Sequence, residues 1–143
     1  MILSDTPNFN FSTADPSCPL HEAAKTKVDV LLHCGDLTQV GGLSAYKNAL
    51  KMLGRFDAKL KLAIAGNHDI SLDGEYWSTH LEEEDDPSEH AQAVAIMTGE
   101  LAKEAGVTYL TEGTYSFTLR NGTTFSIFAS PYQPECGEWA FAY

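Results

Sequence analysis

Two apolar runs organise the first half of the chain: Val28, Val30, Leu31 and Leu32, then Leu60, Leu62, Ala63, Ile64 and Ala65. Neither alternates cleanly with polar positions, and such near-continuous runs are what parallel strands covered on both faces require. Between them Ala45, Ala49, Met52, Leu53 and Phe56 recur at helical spacing, which predicts a helix capped at Ser44 and running to about Arg55. Strand, helix and strand in that order form a βαβ unit. Further on, Val94, Met97, Leu101 and Ala105 share one helical face, predicting a helix capped by Ser88 and stopped at Gly106. Gly99 falls inside it, at a cost of about 1 kcal/mol relative to alanine. Val107 to Leu110 then reads as a short strand, after which the period changes to two. Tyr115, Phe117 and Leu119 alternate with Ser116, Thr118 and Arg120, and Phe125, Ile127 and Ala129 return after an Asn121-Gly122 turn. A hairpin with one apolar face needs a cover, so a second sheet stacked on the first is expected. The fold class is α/β, with no internal repeat.

Each apolar run ends in a polar turn, Gly35-Asp36 after the first and Gly66-Asn67-His68-Asp69 after the second. Ligand groups collect beyond the carboxyl ends of parallel strands, so Asp36 and Asn67 are expected to face one cleft. The short apolar Met1-Ile2-Leu3-Ser4 stops at Asp5, which brings a third oxygen donor to the same region. Carboxylate and amide oxygens with imidazole suit divalent manganese, iron or zinc better than a thiolate site would.

Ser4-Asp5-Thr6, Gly35-Asp36-Leu37-Thr38 and Gly66-Asn67-His68-Asp69, in that order and on strand ends, resemble the motifs of the calcineurin-like metallophosphoesterases. The wording Leu31-Leu32-His33-Cys34-Gly35-Asp36-Leu37-Thr38 and Ile64-Ala65-Gly66-Asn67-His68-Asp69 is similar to that of the small metallophosphoesterase-domain proteins. Ser130-Pro131-Tyr132-Gln133-Pro134 and the aromatic Trp139, Phe141 and Tyr143 also look like that subgroup. The resemblance implies a metal-dependent phosphoesterase acting on phosphomonoesters or phosphodiesters. Its fold would be an α/β/β/α sandwich, here incomplete, with a βαβ parallel core and a C-terminal β-hairpin. It further implies two divalent ions, with Asp36 bridging both, Asp5 on the first and Asn67 on the second. His68 would be the catalytic group beside the scissile phosphate, stabilising charge or protonating a leaving oxygen. The substrate class it implies would be a small phosphoester such as a cyclic nucleotide, with Trp139, Phe141 and Tyr132 offering faces to a base.

The chain also departs from the family pattern. Where the family has Asp-x-His, this sequence has Asp5-Thr6-Pro7, and a Gly-His-x-His pair does not occur before Tyr143. Fewer donors remain than two tightly held ions need. The alternative is therefore a catalytically silent or truncated domain that acts as a binding or scaffold module. His21, in the loop after Asp5, is the stand-in ligand to test, although a solvated loop histidine is the simpler expectation. His33 reads as a satisfied buried imidazole, and His80 and His90 as exposed.

Composition narrows the partners. Net charge is −11, from 9 basic and 20 acidic residues, which disfavours duplex nucleic acid. The Glu82 to Asp86 run reads as a solvated loop. Nothing marks a membrane span or secretion, and three cysteines without metal-ligand spacing, Cys18, Cys34 and Cys136, fit free thiols in a cytoplasmic protein. The sequons at Asn10 and Asn121 then read as loop and turn residues. Both ends look cut, so the expectation is one truncated domain over residues 1–143, with exposed sheet edges that favour self-association.

Overall fold

A computed structural model describes residues 1–7, 9, 17 and 20–143; Asn10 and Cys18 lie outside the described residues. In chain order the elements are β1 (Ile2–Leu3), α1 (His21–Lys25), β2 (Val28–Cys34), α2 (Leu43–Gly54) and β3 (Ala58–Ile64). A short 3-10 turn (Ile70–Leu72) leads to α3 (Gly74–Thr79), α4 (Glu89–Thr98), α5 (Glu100–Ala105), β4 (Val107–Tyr109), β5 (Gly113–Thr118) and β6 (Thr124–Ala129).

The first four strands form one parallel sheet in the order β1-β2-β3-β4, and β5 and β6 pair antiparallel. The central pair is in register from Val28 opposite Ala58 to Cys34 opposite Ile64, so the turns after β2 and β3 leave the sheet side by side. Both faces of that pair are covered, which is why the sequence lacks alternation there. Leu31, Ala63 and Ala65 face the helical side and pack with Tyr46, Leu50 and Leu53 of α2, Met97 of α4 and Ala102 of α5. On the opposite face Leu32, Leu60, Leu62 and Ile64 meet Tyr115, Phe117 and Ile127 of the hairpin. The stacked second sheet expected from the hairpin's apolar face is thus present. Among the described residues no helix is long and apolar enough to cross a membrane.

Several local expectations need correction. α2 begins one residue before Ser44, with Gly42 at the cap position and its carbonyl accepting from Ala45 N and Tyr46 N; the hydroxyl of Ser44 caps nothing. Ser88 does occupy the cap position of α4, but its hydroxyl donates to Asp86 Oδ1 at 2.7 Å rather than capping the helix. The single helix read through Gly99 is two helices, because Gly99 is extended (φ −90°, ψ −157°). The break turns the second segment, so that Ala102 is buried while Leu101 is exposed. Gly106 ends α5 in the left-handed conformation, as its type and place suggest. In the hairpin, Leu119 N donates to Thr123 O and Gly122 takes φ 87°, the arrangement of a three-residue loop closed by a left-handed glycine.

Candidate active site

The site starts from two turns pressed against each other. Gly35 has φ 98°, and a Cβ there would lie 2.8 Å from the Gly66 Cα, while a Cβ on Gly66 would run into the Asp36 carboxylate. Only glycine on both sides allows the turns after β2 and β3 to touch backbone to backbone. Asp69 then fastens them. Its carboxylate has no exposed surface and accepts from Gly66 N (2.9 Å), Leu37 N (3.1 Å), Thr38 N (2.9 Å) and Thr38 Oγ1 (2.9 Å). Burial pushes this carboxyl above its ordinary range, and the four hydrogen bonds pull it back part of the way. The peptide after β1 joins the same assembly, with Asp5 N donating to Gly35 O and Thr6 N to Asp36 O, both at 3.1 Å.

Asp5, Pro7, Asp36, Thr38, Gln39 and His68 consequently surround one cleft of about 220 Å³. Asp5 and Asp36 both take positive φ, 54° and 53°, a left-handed conformation that costs a non-glycine residue energy and recurs at functional sites. Asp36 Oδ1 accepts from His68 N at 3.1 Å. The His68 ring is oriented by Nδ1, which lies 2.8 Å from Gln39 O; a carbonyl only accepts, so Nδ1 carries the proton and Nε2 is the free nitrogen. Trp139 lies against this ring, with centroids 4.0 Å apart.

The structure thus brings Asp5, Asp36 and His68 together. Asn67 stands in the same turn, half-buried, but is not on the cleft wall. His21 is not on that wall either: it opens α1, is buried, and contacts Lys25 Nζ, which corrects the expectation of a solvated loop residue. His33 is buried beneath the site with Nε2 2.8 Å from Thr6 Oγ1, as expected for its place in β2, although its Nδ1 is buried without a partner. Desolvation lowers it from 6.5 to about 4, against the opposing pull of Asp5. His80 is exposed, but His90 is half-buried and its Nδ1 lies 2.9 Å from Ser71 O, which corrects its assignment to the surface. The contribution of Asp69 was not visible from sequence; the only signal was an acidic residue closing a turn that must meet another turn. Cys34 and Cys136 are free and exposed.

Among the described residues no group of three or more His, Cys, Asp or Glu side chains is assembled that could hold a metal ion. The donors that face the cleft nevertheless suit one hydrated hard dication, since such an ion is commonly held by one or two carboxylates and keeps several waters. They do not suit two ions: Pro7, which lines the cleft, supplies no side-chain donor, and Asp5 and Asp36 are the only carboxylates among the lining residues.

A parallel sheet whose strand ends present two carboxylates and an oriented imidazole to one cleft defines an α/β protein with its candidate site at the carboxyl edge of the sheet. The chain belongs to the calcineurin-like phosphoesterase family, whose model matches residues 7–131. The family implies metal-dependent phosphoester hydrolysis in general, with divalent ions. The chain is 31% identical over 123 residues to the UPF0046 protein T07D4.2 of Caenorhabditis elegans, covering 79% of this chain and 29% of that protein. It is 28% identical over 122 residues to the human metallophosphoesterase domain-containing protein 1, covering 79% and 34%. A protein of Emericella nidulans named probable rhamnogalacturonate lyase C matches at 31% over 115 residues, 80% of this chain and 10% of that protein. The chain therefore spans about a third or less of the length of these relatives.

Proposed function

We propose that the chain is a hydrolase of small phosphoesters whose cleft uses Asp5 and Asp36 as metal carboxylates and His68 as the acid–base group, with Asn67, off the cleft wall in the same turn, as an amide donor only if its side chain turns toward the ion. The observation that carries this reading is the apposition of the two glycine turns, which sets Asp36 and His68 on one wall of a cleft that Asp5 closes. A divalent ion of the manganese, iron or zinc kind, when bound, would offset the carboxylate charge and polarise a phosphoryl oxygen. The chain's own groups have distinct tasks. His68, with Nδ1 committed to Gln39, exchanges a proton through Nε2, the only ring nitrogen free to meet a phosphoester oxygen. Thr38 is held by Asp69 and in turn accepts from Gly41 N at 2.9 Å, which fixes the loop that carries Gln39 and so the imidazole.

The test is manganese-dependent hydrolysis of an aryl phosphodiester by the purified chain, with metal content measured on the same sample. Turnover is expected with about one ion per chain, and Asp36→Asn should abolish both. The lack of any three-residue donor group among the described residues favours a second reading, a silent domain that binds without turning over. Folded protein with neither bound metal nor turnover would select it.

A further inference from the structure

On the far side of the His68–Trp139 ring contact lies a second cavity of about 400 Å³. Its walls come from α3 and from the segment 132–143, joined by defined hydrogen bonds. Asp73 accepts from Glu75 N and Tyr76 N through Oδ1 and from Phe141 N through Oδ2 at 2.7 Å; Tyr76 OH donates to Glu138 O at 3.0 Å. Gln133 N donates to Phe141 O and Tyr143 N to Gln133 O, which closes the segment on itself. The space between is therefore framed by the fold.

Its lining combines two chemistries. Tyr76, Tyr132 and Trp139 contribute aromatic surface: Tyr132 is set edge-on to the buried Phe141 at 5.7 Å, Tyr76 has one face stacked on the lining His80 at 4.1 Å, and Trp139 is in ring contact with His68, which leaves the opposite faces of Tyr76 and Trp139 for a ligand. Glu75, Glu135 and Glu138 contribute exposed carboxylates, and none of them takes part in an ion pair among the described residues. No lysine or arginine is among the described lining residues. An anionic base or acid would be repelled here, and a small, strongly hydrated metal ion gains nothing from aromatic faces. A weakly hydrated organic cation uses both, through ring quadrupoles and through the surrounding negative charge.

We propose that this cavity binds the quaternary ammonium group of a small phosphoester whose phosphate occupies the Asp36–His68 cleft, which makes the substrate a phosphoester of an ammonium alcohol. This deepens the hydrolase reading and rests on it. The His68 ring, which lines the cleft, touches the Trp139 ring, which lines the cavity, so the two spaces are neighbours and an ester seated beside His68 would extend past the edge of this ring pair to bring its alcohol portion to the aromatic rings. Choice between ammonium and neutral alcohols then comes from the cavity, and chemistry from the cleft.

Tetramethylammonium is the first probe, titrated into the full chain with tryptophan fluorescence as readout and neopentyl alcohol as the neutral molecule of similar size. Saturable binding of the cation, absent for the alcohol and weakened about tenfold in a Glu135→Gln/Glu138→Gln variant, is expected. Glutamine preserves size, and both side chains are exposed, so the fold is retained. Equal binding of the neutral alcohol, no saturable binding, or an unchanged double variant would overturn the proposal. Phosphocholine is the second probe, measured with manganese present: it should bind more tightly than choline, and Asp36→Asn should remove the difference while leaving tetramethylammonium binding intact. Tetramethylammonium binding without any gain for phosphocholine would instead overturn the hydrolase reading of the cleft and, with it, the assignment of the cavity to a phosphoester. Preference for a cyclic nucleotide over phosphocholine would also count against the ammonium alcohol.

Discussion

A carboxylate without exposed surface survives in a fold only when its oxygens are fully used, and Asp69 uses its pair on four donors drawn from both motif turns. An amide in its place has one acceptor oxygen and turns an NH2 group toward backbone N–H donors. Asp69→Asn is accordingly expected to cost about 2–4 kcal/mol in chemical denaturation. It should also lower metal-dependent turnover by loosening Asp36 and His68, although it touches neither ligand nor substrate. His33 gives a second test, this time of pH. Its imidazole titrates at 6.5 when free and near 4 when folded, because burial penalises the charged ring. Between those values the unfolded chain binds more protons than the folded one, so stability is fully present above about 6.5 and is lost as the pH falls toward 4. The loss attributable to this residue is roughly 3 kcal/mol. Denaturation midpoints measured across that window should fall less steeply in His33→Gln, which carries no titrating ring; an unchanged slope would show that other groups dominate.

At the scale of elements, what the sequence discloses depends on whether one local pattern decides the structure. β2, β3 and the hairpin were legible because burial on both faces or on one leaves a continuous or alternating apolar signature that tertiary context does not alter. Caps and breaks were not, because they depend on what the chain meets. Ser44 is a good cap by type, yet Gly41 and Gly42 carry the turn, with φ 74° and 96°, and Gly42 takes the cap position two residues ahead of it. Lys61, charged in an apolar strand, is buried with Nζ donating to Gly54 O and Ala105 O, the ends of α2 and α5. A cation at two helix C-termini is favourable there, but only the packed arrangement reveals it. Gly99 separates propensity from structure most sharply. Helix propensity alone makes Gly99→Ala stabilising by about 1 kcal/mol. In the structure a Cβ at Gly99 meets the Ala95 carbonyl oxygen, which belongs to the backbone and cannot swing away. Gly99→Ala is therefore expected to destabilise by about 1–3 kcal/mol, and thermal melting of that single variant gives the sign.

For the whole molecule, the order of strands and turns was enough to anticipate one cleft at the sheet's carboxyl end, whereas its capacity could not be read. Number of donors depends on where Asn67 and His21 point, and neither reaches the wall. Charge is a property of the same scale. With 20 acidic residues against 9 basic ones, the fold confines a net charge of −11, and the ion pairs that relieve it locally, such as Lys27–Asp57 and Lys103–Glu100, are exposed and individually weak. Confinement of like charge opposes compaction, so added salt should stabilise by screening. The denaturation midpoint is expected to rise as sodium chloride is taken from about 10 mM to about 150 mM, a range in which the Debye length shrinks from about 30 Å to about 8 Å. Manganese added at matched ionic strength distinguishes a bound ion from this general effect. An ion held by Asp5 and Asp36 adds stability that saturates and that Asp36→Asn removes, because binding to the folded state alone shifts unfolding by mass action. A rise that the variant shares would be screening alone, and the carboxylates of the cleft would then be charges without a cation.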